Sequence, residues 1–149
     1  MSMETKVPRT IHPEELGAAK GFSHGVLAPA GARILFVAGQ IGWDREQKVV
    51  AGGFVPQFER ALANVLAVVR AAGGGPESIC RLTIYVIDRR SYLRSLPEVG
   101  AAYRGVLGRH FPAMALVEVA GLVEPDAEVE IEATAAIVEI AEIAEGDAG

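Results

Sequence analysis

Cysteine is nearly absent from this chain of 149 residues. A single residue, Cys80, leaves no intrachain disulfide framework to build on. Its place inside the apolar run "ICRLTIYVID" marks it as a small buried hydrophobe rather than a nucleophile. Long hydrophobic runs are missing too: none reaches the ~20 residues that a membrane-spanning helix needs. The opening "MSMETKVPRTIHPEELG" has no apolar centre of the signal-peptide kind. The expectation is a reduced, cytoplasmic protein with no membrane partner. Basic charge is in deficit, with 14 Lys and Arg against 19 Asp and Glu and a net charge of −5. That balance argues against a nucleic-acid partner, because phosphate neutralisation supplies most non-specific affinity. The pair Arg89-Arg90 stands without interleaved aromatics and reads as surface solvation. His12, His24 and His110 are too scattered for metal-ligand spacing. No P-loop, dinucleotide fingerprint or serine nucleophile elbow occurs. No metal or organic cofactor is expected.

What the chain does have is apolar residues, half of the total, and 17 glycines. A single domain of this length buries enough surface to fold without staples. Residues 1–20 are polar and weakly patterned, an arm with at most a short strand; residues 21–140 carry the domain; 141–149 form an acidic tail. "SHGVLA" and "ARILFVAGQI" read as strands around a Pro-Ala-Gly turn, and Val49-Val50 as a short edge strand.

The clearest helix spans about 54–72. Phe58, Leu62, Val65, Leu66 and Val69 recur at steps of three and four, and "GGGP" stops it. "ICRLTIYVID" is a central strand. A second helix is predicted from a cap at Ser91 through Leu107, broken or kinked at Pro97. "AMALVEVAGLV" and "EVEIEATAAIVEI" close the chain as strands, the latter alternating Val129, Ile131, Ala133, Ala135 and Ile137 with Glu130, Glu132, Thr134 and Ala136. Two β-β-α-type halves with both helices on one face of an antiparallel or mixed sheet give an α+β fold. The other sheet face, to which Ala133 and Ala135 are assigned, would then be bare, and a closed homo-oligomer would cover it.

The segments "LFVAGQIG", "FERALANVLAVVRAAGGGPESICRLTIYVID", "PAMALVEVAGL" and "VEIEATA" occur in the order, and at spacings compatible with those, of one family. Over roughly 21–137 the chain resembles the RidA family, also known as YjgF or L-PSP. The resemblance implies a chorismate-mutase-like α+β fold, with a mixed six-stranded sheet and two helices on one face. It also implies a homotrimer whose sheets line a central barrel, with small-molecule sites between subunits. The family's best-known activity is cofactor-free hydrolysis of enamines and imines, such as 2-aminoacrylate, to a keto acid and ammonia. Older labels mention endoribonuclease activity or translation inhibition.

The same resemblance assigns the site. The family's substrate-gripping arginine after Pro-Ala falls at Met114, which has no charge and no donor. Its serine falls at Ala38, its helix asparagine at Gly100, its cysteine at Leu116 and its first-strand tyrosine at Phe22. Gly39 is retained, and Glu130 matches the glutamate thought to position or activate water. The implied cleft is apolar around one carboxylate: Glu130 catalytic, with Phe22, Ala38, Gly39, Gly100, Met114 and Leu116 binding substrate. The implied function is enamine or imine deamination with an altered substrate range; the alternative is a non-catalytic trimer binding a small metabolite or a protein, and endoribonuclease activity is the weakest reading, with neither an acid-base histidine pair nor a basic groove in the sequence. From the residues alone, Glu130 and Glu132 also fit a solvated strand face. His24 could border the cleft or be structural, Trp43 could be a lid or an interface anchor, and Glu118 could pair at a subunit interface.

Overall fold

The computed structural model describes residues 7–139; the tail assigned to 141–149 lies outside them. The first two strands, β1 (Arg9–Ile11) and β2 (Gly25–Leu27), pair antiparallel. β3 (Arg33–Ile41) leads through a polar loop into α1 (Phe54–Ala71). β4 (Ile79–Val86) precedes two helices, α2 (Arg89–Leu93) and α3 (Leu96–Leu107). β5 (Ala113–Glu118) and β6 (Val129–Ile137) follow.

The main sheet has the order β3-β6-β4-β5, with β4 and β5 parallel and the other pairs antiparallel. This corrects the expected six-stranded sheet. Four strands form one sheet, and β1 and β2 form a separate ribbon tied to it by a single parallel bridge from Ser23 to Ala113. The tie is chemical as well as geometric: Ser23 N–H donates to the Pro112 carbonyl at 3.0 Å, and its hydroxyl to the Phe111 carbonyl. Val49 likewise forms only an isolated bridge, to Trp43.

The core lies between α1, α3 and one face of the sheet. α1 buries Phe58, Leu62, Val65 and Val69, its predicted stripe, against Leu82, Ile84, Val129 and Ile131. Such fully buried side chains supply the main favourable term in folding. Ala133 and Ala135 also face the helices and are buried, so their assignment to the bare face is corrected. The alternation was right, but which phase faced the core was not. The open face carries Ile34, Phe36 and Val117 among polar residues, with Phe36 78% exposed.

The predicted second helix is two helices. Asp88, not Ser91, caps α2, accepting from the Arg90 N–H at 2.9 Å. Pro97 stands in the first turn of α3, where its missing N–H costs nothing. No helix among the described residues is long and apolar enough to cross a membrane.

Candidate active site

A β-bulge prepares the first part of the site. Between the pairs Val37–Ala133 and Gln40–Ile131, β3 spends two residues, Ala38 and Gly39, against the single Glu132 of β6. Glu130 points away from the helices, with Ile41 opposite it on β3 and Tyr85 opposite it on β4. Its carboxylate folds over Gly39: a Cβ built there would collide with Glu130 Oε1. The glycine is therefore needed for the carboxylate's position.

A polar row continues on the open face. The Tyr85 hydroxyl donates to Glu132 Oε1 at 2.6 Å, and Arg81 and Thr83 stand on the same face of β4. That hydrogen bond, made to a carboxylate, raises the phenol pKa above its usual value.

The second part of the site lies across the sheet. A cavity of about 240 Å³ opens between α3 and the β5 edge, lined by Gly21, Val99, Gly100, Arg104, Phe111 and Met114 with their neighbours. Tyr103 forms one wall, its ring stacked on Phe111 with centroids 5.3 Å apart. Its hydroxyl donates to the His110 carbonyl at 2.6 Å, and burial pushes its phenol pKa strongly up. Leu116 is two residues beyond Met114, on the same strand face and paired with Ile84.

In one chain, then, the sequence-predicted residues form two groups. Ala38, Gly39 and Glu130 meet on the open face, whereas Gly100, Met114 and Leu116 lie on the helix side at the opposite edge strand. Phe22 follows cavity-lining Gly21 and packs edge-on to His24, with ring centroids 5.3 Å apart.

The remaining candidates have local structural partners. A His24 ring nitrogen lies 3.0 Å from the Gly17 carbonyl. The Trp43 loop is pinned by Asn64, whose amide donates to the Ile41 and Trp43 carbonyls at 3.1 and 3.0 Å. Glu118 accepts from the Arg89 N–H at 3.0 Å, a bond within the chain at the start of α2. Sequence reasoning missed two residues. Gln57 clamps the loop before β6, donating to the Asp126 carbonyl at 3.1 Å and accepting from the Glu128 N–H at 2.8 Å. Arg104 brings a cation to the cavity; its spacing of four from Gly100 on one helix face was the available signal.

A mixed sheet with helices packed on one face, a bulge under a carboxylate and a cavity at the edge strand define an α+β protein. Residues 12–137 match the family described as Endoribonuclease L-PSP. The chain belongs to this family, also known as RidA or YjgF. It is 36% identical over 131 residues to a 2-iminobutanoate/2-iminopropanoate deaminase of Salmonella typhimurium, covering 85% of this chain and 96% of that protein. Over 104 residues it is 36% identical to the RutC family protein UK114 of Drosophila melanogaster, covering 69% and 72% respectively. The crystal structure of YyfB from Yersinia pestis, a Rid family protein of unknown function, superposes with a TM-score of 0.72 at 32% identity, covering 87% of this chain and 98% of that one.

Proposed function

We propose that the protein is an enamine or imine deaminase of altered substrate range, working as a homotrimer whose sites form between copies. The observation that carries this reading is the Glu130 carboxylate held over Gly39 on an open sheet face that also carries exposed Phe36 and Ile34 farther along the strands. Large exposed apolar side chains on a sheet call for a partner surface, and a second copy is the economical one. Joining the open face of one chain to the α3–β5 edge of the next would unite the two halves of the site.

In the reaction, Glu130 takes a proton from water as its oxygen adds to the C=N carbon and passes that proton to the imine nitrogen, giving a carbinolamine. Glu130 then carries the carbinol hydroxyl proton to the nitrogen as the C=O bond forms and the C–N bond breaks, and ammonia leaves a carbonyl product. An enamine first takes a proton on carbon to become the imine. Phe22, Ala38, Gly100, Met114 and Leu116 hold the substrate body, and Met114 offers a carboxylate no grip from the strand.

Imines generated by an amino-acid oxidase provide the test, with carbonyl release followed with and without the protein. The proposal expects acceleration, and a fall of about 100- to 10,000-fold in Glu130→Gln, the usual worth of a positioned acid-base group. No acceleration for acidic or neutral imines would overturn it. The separation of Glu130 from the cavity within one chain favours, as the second reading, a non-catalytic trimer that binds a small metabolite.

A further inference from the structure

We infer that Glu132 is a positioning residue for the reaction at Glu130: by accepting the Tyr85 hydroxyl it keeps that donor off the Glu130 carboxylate, which stays free to take a proton from water. The inference deepens the proposed deaminase reading and rests on Glu130 as its base.

Three side chains meet on the open face. Tyr85 stands directly opposite Glu130 across the β4–β6 pair, and Glu132, two residues on, projects from the same face opposite Thr83. Directly opposite residues of an antiparallel pair have Cβ atoms about 4.5–5.5 Å apart; diagonal neighbours lie about 7–8 Å apart, still within an aromatic side chain's reach. Glu130 is thus the nearer residue, yet the Tyr85 hydroxyl donates across the diagonal, to Glu132 Oε1 at 2.6 Å. Glu130 leans the other way, over Gly39 in the β3 bulge. Among the described residues the carboxylates that accept hydrogen bonds are those of Asp44, Asp88, Glu118, Glu128, Glu132 and Glu139, and Glu130 is not one of them.

The phenol faces both anions. Its pKa is raised first by the bond to Glu132, then by desolvation, then by the charges of Glu132 and Glu130, while Arg81 on the same strand face opposes the rise. A half-buried hydroxyl takes an acceptor where it can, and a charged acceptor makes the stronger bond. With Glu132 gone, the carboxylate left within reach is Glu130. A hydrogen bond to a carboxylate favours its charged form and so makes it a poorer base. Such a bond is worth roughly 10- to 100-fold in an equilibrium constant, and Brønsted behaviour passes only part of that into rate, about 3- to 10-fold. Glu132 spares Glu130 that loss, acting through Tyr85.

Imine turnover per folded molecule, together with crystal structures of the variants, tests this. Glu132→Leu lowers kcat about 3- to 10-fold with KM little changed, and its structure shows the Tyr85 hydroxyl on Glu130. Glu132→Gln, whose amide carbonyl still accepts the hydroxyl, recovers most of the lost kcat. Adding Tyr85→Phe to Glu132→Leu brings kcat back to the level of Tyr85→Phe alone, because no hydroxyl is left to occupy Glu130; a merely structural Glu132 gives no such rescue. Circular dichroism checks the fold, and Glu132→Ala carries the same expectations should leucine impair it. The inference is overturned if Glu132→Leu keeps the wild-type kcat, if Glu132→Gln does no better than Glu132→Leu, if Tyr85→Phe gives no rescue, or if the hydroxyl in the Glu132→Leu crystal leaves Glu130 unbonded. A wild type without imine turnover, whose Glu132→Leu crystal has the hydroxyl on Glu130, removes the deaminase reading and leaves the exchange of partners standing. Wild-type turnover without rescue removes only this inference.

Discussion

Replacing Gly39 with alanine should detach activity from stability. Gly39 is not among the glycines with positive φ, so its backbone accepts a side chain. The added methyl would overlap Glu130 Oε1 and stand 2.9 Å from Cδ and 3.1 Å from Cγ. What must move is the tip of a flexible side chain, at the cost of a displaced rotamer, about 0.5–1.5 kcal/mol. Losing the carboxylate from its place removes the acid-base contribution, about 100- to 10,000-fold in rate. Gly42→Ala is the matched control: there the methyl would stand 2.5 Å from Gln57 Cα and 2.6 Å from its carbonyl oxygen. Backbone of α1 must shift, an overpacking cost of about 1–3 kcal/mol, while Glu130 is left alone. Denaturant midpoints and imine turnover per folded molecule read the two effects separately. Wild-type turnover in Gly39→Ala, or a stability loss equal to that of Gly42→Ala, would refute the reasoning.

Other outcomes follow from the packing. Leu62→Ala, at a fully buried position of α1, should cost about 2–5 kcal/mol in chemical denaturation. Gln57→Leu removes both ends of the clamp on the loop before β6 and should destabilise by about 1–3 kcal/mol, with faster hydrogen exchange at the Glu128 amide. Tyr103 has its folded-state pKa raised by burial, so its share of stability is complete below the ordinary phenol value of about 10 and is lost as pH climbs above it. Tyr103→Phe should flatten that alkaline decline, as read by unfolding midpoints against pH.

Much of this architecture was legible in the chain. The three- and four-residue spacing of Phe58, Leu62, Val65 and Val69 fixed α1, and the alternation in 129–137 fixed β6, because each element has one dominant buried face. Pro97 marked the break between α2 and α3. The phase of β6 was misread because both of its faces carry alanines, at 133, 135 and 136, and only the packing of α1 decides between them. Asp88 outcompeted Ser91 as cap because the helix begins three residues sooner, at the double arginine. The separate β1–β2 ribbon was not legible either, since its tie to β5 runs through Ser23 and the carbonyls of 111 and 112, a contact across nearly ninety residues.

Within the candidate site, Glu130 lies against Gly39, and Gly100 and Met114 line one cavity. That these are two groups on opposite sheet faces is a three-dimensional fact, and Arg104 escaped notice because its meaning depends on the space left by Gly100.

The measurement closest to the central claim is complementation between copies. Glu130→Gln lacks the acid-base group, and Gly100→Leu fills the cavity while leaving Glu130 intact. Co-expressed with different tags and isolated as mixed oligomers, these two chains should regain about a third of wild-type imine turnover, since a mixed cyclic trimer, whichever chain is doubled, pairs an intact Glu130 with an intact neighbouring cavity at one of its three sites. Mixed oligomers as inert as either parent would contradict a site shared between copies.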